Sequence, residues 1–220
     1  MSARRSPADV VDSLVSNLAP VRPVRIVPAI VAAAAIEIGV VAVMILLLGI
    51  RIADPARLLD PAFAALLAVL AGSAAASIVA MTAVSIPGRA PSRASRLAIV
   101  AVPPLLASVV LAMSPWGATT GAFTAVLVEG FGCTKNTLVV AAPAWLAALL
   151  YLRRLAPLDP VRTGLFAAFS ALLVSALVVQ MACPQCESWH LAMSHYLPLL
   201  LAAWAGALFA PIVVKAASPR

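Results

Sequence analysis

The chain has 220 residues, 64% of them apolar and 10% charged, with a net charge of +7 and a mean hydropathy of +1.08. Soluble domains run about 45–50% apolar and about 25% charged, so an ordinary globular domain is excluded and an all-α polytopic membrane protein is indicated. At about twenty residues per crossing, six or seven spans would use up the chain, which leaves no room for a nucleotide-driven motor or a soluble catalytic module.

The first segment, 1–26, carries Arg4, Arg5, Arg22 and Arg25 together with Asp9 and Asp12. It lacks an apolar core followed by a small-residue cleavage site, so the first span is expected to act as its own insertion signal. Val10, Val11, Leu14, Val15 and Leu18 recur at helical spacing, with Asp9, Asp12, Ser13 and Ser16 elsewhere. Pro7 opens a predicted short amphipathic helix, and Pro20 and Pro23 close it. Such a helix can lie on lipid or fill a groove on a protein partner. Two acids without a lysine or arginine favour the protein partner.

Six spans are predicted at about 27–50, 61–86, 97–115, 134–152, 161–182 and 193–214, which makes 27–214 the transmembrane domain and 215–220 a tail. Glu37 stands near the middle of the first span with no lysine or arginine at matching depth. An ionised carboxyl there is costly, so it is expected to be neutral or hydrogen-bonded inside the bundle, with Gln180 and the serines of the fifth span as partners. A transporter built on Glu37 would need a polar pathway, and apart from Glu37 the spans offer little to line one. The run Ala71-Gly72-Ser73 through Ser77 is a small-residue face for close helix approach. Pro103-Pro104, Pro143 and Pro198 fall inside spans and predict kinks.

Twelve of the fifteen basic residues fall on one side of this arrangement, and only Arg51, Arg57 and Lys135 fall on the other. By the positive-inside rule both termini are cytoplasmic. The basic balance therefore reports topology, and no direct nucleic-acid contact is expected.

All three cysteines then lie on the outer face. Cys133 opens the fourth span, and Cys183 and Cys186 close the fifth in the string Cys183-Pro184-Gln185-Cys186-Glu187-Ser188-Trp189-His190. His195 follows, so both histidines of the chain lie beside two of its cysteines. Thiolates and imidazoles suit zinc, copper(I) or cadmium. Thiols at an oxidising face also pair, and an exposed pair responds to redox conditions. The plainest reading is a static Cys133–Cys183 staple with histidines capping helix ends. A rival of another class is a membrane thiol oxidoreductase passing electrons from the C-x-x-C to quinone. It would need two working pairs, and three cysteines supply one and a half. No Ser-His-Asp set, phosphate loop or paired carboxylates occur in the cytoplasmic segments.

Several short strings are similar to those of one family. Leu18-Ala19-Pro20-Val21-Arg22-Pro23 resembles the opening of the NrsF-type bacterial membrane anti-sigma factors, as does Pro87-Gly88-Arg89 after the second span. Gly132-Cys133 with Ala142-Pro143 resembles the start of that family's fourth helix, and Arg153-Arg154-Leu155-Ala156-Pro157-Leu158 its basic loop. Cys183-Pro184 followed by His190, His195 and Pro198 is similar to its C-P…H…H…P pattern. The resemblance covers essentially the whole chain. It implies a six-helix inner-membrane protein, not an enzyme, that binds an extracytoplasmic-function sigma factor and keeps it from RNA polymerase. It also implies that a periplasmic pair, Cys133 and Cys183, responds to heavy metals or oxidants. Cys186 is additional to that pattern and leaves the pairing open. No obligatory cofactor is implied, only a transient metal ion at the cluster of Cys133, Cys183, Cys186, His190 and His195.

Overall fold

A computed structural model describes residues 7–16, 24–89, 93, 122–184 and 190–215, and among them no strand occurs. The predicted span at 97–115, Leu18 and Cys186 lie outside the described residues. Helix α1 covers Pro7–Ser16, with Pro7 as its first residue as expected and Val11 and Val15 exposed. Then follow α2 (Ile26–Leu48), α3 (Pro61–Val84), α4 (Ala122–Leu152), α5 (Pro160–Ala182) and α6 (Leu197–Lys215). Short 3-10 turns cover Pro55–Leu59 and Arg153–Leu155, and a π-helical segment, Leu191–Tyr196, leads into α6. Five stretches are long and apolar enough to cross a membrane: Ile26–Leu48, Pro61–Val84, Gly130–Leu155, Pro160–Ala182 and Leu191–Val214.

The helix ends follow from local chemistry. Asp60 and Asp159 cap α3 and α5 by accepting from the Ala62 and Arg162 amides, each followed by a proline at the first helical position. Proline has no N–H to leave orphaned there. Gly49 closes α2 at φ +64°, the left-handed conformation that glycine adopts without strain.

Helix α5 is the most buried span and packs against α3, α4 and α6. Leu66, Leu70, Leu173 and Leu191 fill the core toward one end, and Ala33, Met81, Leu149 and Leu152 toward the other. Small residues set the tightest contact. A β-carbon on Gly164 would strike Ala210, and one on Gly206 would strike Ala168, so a small-xxx-small pair on α5 interlocks with another on α6. Outward, Val27, Val31, Leu46 and Leu47 of α2 and Trp204, Leu208 and Ile212 of α6 are exposed. An apolar belt of this extent suits lipid rather than water.

Long-range bonds fix the polarity of the bundle. The Ala53 amide, just past α2, donates to the Met181 carbonyl at 3.1 Å, while the Tyr151 hydroxyl reaches the Ala29 carbonyl at 3.4 Å near the opposite end. Helices α2 and α5 thus run toward the Cys183 end. Helix α3 runs away from it and finishes beside Asp159 and Arg162, and α4 and α6 also run away from it.

One boundary differs from the expectation. Helix α4 begins at Ala122, about three turns before Cys133, although its apolar span begins only at Gly130, so Cys133 still stands near the opening of the span. Gly130 survives within that helix because only a glycine lets the backbone pass Ser194: an added β-carbon would fall on the Ser194 hydroxyl.

Candidate functional site

The π segment organises the site. Pro198 has no N–H to give to the carbonyl four residues earlier, Ser194, and its ring crowds that carbonyl. The Thr134 hydroxyl of α4 takes the bond instead, donating to the Ser194 oxygen at 2.7 Å. The kink expected at Pro198 is thus expressed as an i→i+5 segment just before it, with the Leu197 amide bonded to the Ala192 carbonyl. This register matters for the histidines. Five residues return to nearly the same face when bonds run i→i+5, whereas at 3.6 residues per turn they diverge. His190 and His195 accordingly face each other edge-on, with ring centroids 5.3 Å apart.

Onto this pair α4 and α5 bring two sulfurs. The Cys133 thiol donates to the Cys183 sulfur at 3.5 Å, and Cys183 Sγ stands 3.3 Å from His190 Nε2. One donor atom from each of Cys133, Cys183, His190 and His195 can be chosen so that all lie within 4.8 Å of one another. Cys183, His190 and His195 are only 1–2% exposed, while Cys133 is partly open. Among the described residues, His190 Nδ1 and both nitrogens of His195 have no hydrogen-bond partner. Buried polar atoms without partners are uncommon and mark strain, water or an absent ligand.

The donor set fits a soft or borderline ion. Tetrahedral zinc takes sulfur at about 2.3 Å and nitrogen at about 2.0–2.1 Å, which puts neighbouring ligand atoms about 3.3–3.8 Å apart. The 3.5 and 3.3 Å separations already match, and the widest, 4.8 Å, needs a contraction of about 1 Å. The same two sulfurs stand close enough to be joined by a two-electron oxidant. Four of the five predicted donors therefore converge.

The structure also brings in residues that sequence reasoning passed over. Thr134 and Gly130 hold the π segment, as described. Arg57 reaches the site from the α2–α3 connection, donating from Nη1 to the Cys183 carbonyl at 2.7 Å. Its signal in the sequence was its place among the three basic residues that break the charge bias. Glu37 lies elsewhere, fully buried in α2, where its Oε1 accepts from the Ser170 hydroxyl at 2.7 Å. The partner is thus a serine of the predicted fifth span. The Gln180 amide makes no hydrogen bond among the described residues.

Comparison with known proteins gives one family. A family model described as "NrsF: Negative regulator of sigma F" matches residues 14–215. No curated protein and no solved structure matches the chain. The match covers nearly the whole chain and bears out the resemblance read from its motifs: the chain belongs to the NrsF family, and it is a negative regulator of a sigma factor.

Proposed function

We propose that this member of the NrsF family is a bacterial inner-membrane anti-sigma factor that holds an extracytoplasmic-function sigma factor and releases it when its outer-face cysteines meet a heavy metal or an oxidant. The observation that carries the reading is the convergence of Cys133, Cys183, His190 and His195, from three separate helical elements, at one end of the bundle. A thiophilic ion would be gripped by the sulfurs and imidazoles with loss of the thiol protons. A peroxide would instead take two electrons from the two thiols, leaving a disulfide and water. Either event draws α4, α5 and the π segment together.

Topology supports the same reading. Helices α3 and α4 both run away from the Cys183 end, which suits a chain of six crossings. In the sequence the apolar stretch at 97–115 has the length of one more span, which favours both termini on one side. Arg89, Arg153, Arg154 and Arg162 cluster at the end opposite the cysteines, as cytoplasmic residues should. The helical spacing of Val10, Val11, Leu14, Val15 and Leu18 in the sequence provides the apolar stripe for the sigma factor.

Run-off transcription tests this. The full-length protein in nanodiscs is expected to silence one extracytoplasmic-function sigma factor of its own genome, and micromolar cadmium or peroxide is expected to restore transcription. Silencing of none would overturn the reading.

A further inference from the structure

The outer connection between α2 and α3 is tied to the end of α5 by two donors. The Ala53 amide bonds the Met181 carbonyl, and Arg57 Nη1 bonds the Cys183 carbonyl. The last carbonyls of a helix have no partners within it, and a cation beside them also meets the negative end of the helix dipole. Arg57 is itself held. It belongs to the 3-10 turn Pro55–Leu59, capped by the Asp54 carboxylate, and its guanidinium carbon lies 5.2 Å from the ring centroid of the buried Phe63. A cation over a ring face is favoured by the ring's quadrupole. The side chains of Arg51 and Lys135, the other two basic residues at this end, make no hydrogen bond or ion pair among the described residues.

Cys183 is the residue at which the chain leaves α5, with extended backbone at φ −79° and ψ 122°. The Arg57 bond to its carbonyl acts on the residue whose sulfur meets Cys133 and His190, so the two ends of Cys183 are held together. We infer that Arg57 is a positioning residue for the cysteine site: by gripping the Cys183 carbonyl from a platform on Phe63, it keeps the Cys183 sulfur within reach of Cys133 and His190. This rests on the reading of that cluster as the reactive site. It also gives a physical reason for an arginine on the side of the membrane that the charge bias leaves poor in basic residues.

The test is the equilibrium of the pair with glutathione, read by maleimide labelling of full-length protein in a Cys186→Ser background. The reaction is balanced: the protein dithiol and one glutathione disulfide give the protein disulfide and two glutathiones. Arg57→Ala is expected to lower that equilibrium constant about tenfold, the scale of one charge-assisted hydrogen bond. Arg57→Lys should recover part of it, because a lysine keeps the charge but not the planar fork. Arg51→Ala should match the unsubstituted protein. A role confined to general stability would lower the thermal midpoint without grading the equilibrium in this order. Should Arg57→Ala fail to fold, Arg57→Lys and Phe63→Leu carry the comparison, each expected to fall below the unsubstituted protein. Arg57 variants that match the unsubstituted protein, with its pair closing normally, overturn the Arg57 assignment alone. A pair that neither closes nor binds cadmium in the unsubstituted protein overturns the reactive site, and the Arg57 assignment with it.

Discussion

Glu37 has a single hydrogen bond to another residue's side chain, the one from the Ser170 hydroxyl, and its second oxygen has no partner among the described residues. The same hydroxyl also lies 3.1 Å from the Ala167 carbonyl and 3.4 Å from Met81 Sδ, so it has other acceptors if the carboxyl is removed. The dependence is therefore one-sided. Leaving a buried polar group without its partner costs about 1–3 kcal/mol, while replacing both partners by apolar groups can be nearly neutral. Ser170→Ala is expected to lower stability in detergent by about that amount, and Glu37→Leu added to Ser170→Ala should restore much of it. Thermal unfolding of both variants checks this; a double variant less stable than Ser170→Ala would contradict it. Nothing in this pairing requires Glu37 to move a substrate or an ion.

At the scale of elements, the π segment decides where the histidines stand. Pro198 creates it by withholding an N–H from the Ser194 carbonyl, and Thr134 fixes it from the neighbouring helix. Pro198→Ala supplies the missing donor and lets the segment wind as α-helix. Thermal stability should hold or rise, while His195 turns away from His190 and the cysteines. Cadmium affinity is then expected to fall about tenfold or more, the effect of losing one well-placed ligand or its support. Isothermal titration of the full-length variant reads it, and unchanged affinity would show that the π register is not what assembles the donors.

This element also marks the limit of what the sequence displays. Apolar runs of twenty residues announce spans directly, which is why α2, α3, α5 and α6 lie close to their predicted ranges. The start of α4 was hidden by Glu129, Gly130, Gly132, Thr134 and Lys135, which dilute its hydropathy. The helix nevertheless runs through them, and the glycine at 130 is the residue that lets Ser194 pass closely. The cluster was half legible: Cys183, His190 and His195 are neighbours in sequence, but Cys133 is fifty residues from Cys183, and only packing of α4 on α5 joins them. Arg57 stood out in the sequence only by breaking the charge bias; its partner, a backbone carbonyl 126 positions away, leaves no side-chain signature.

For the whole molecule, the proposed function demands that a change at the cysteine end be carried to the end where the arginines cluster. Reversing a switch from 1:99 to 99:1 takes about 5.5 kcal/mol of differential stabilisation. A thiolate–metal site or a new disulfide supplies energy on that scale; one neutral hydrogen bond, at about 1 kcal/mol, does not. Helices α5 and α6 interlock at Gly164 with Ala210 and at Gly206 with Ala168, toward the arginine end, so in the proposed switch a pull on Cys183 and His195 would be felt by both.

The most direct measurement is copurification of the sigma factor with the full-length protein from solubilised membranes, before and after cadmium or peroxide. Unsubstituted protein, Cys133→Ser and Cys183→Ser should be compared at matched expression. The account predicts that all three capture the sigma factor at rest, and that treatment releases it from the unsubstituted protein while both variants keep it. Release from the cysteine variants to the same extent would contradict the account, because the signal would then enter somewhere other than the Cys133–Cys183 site.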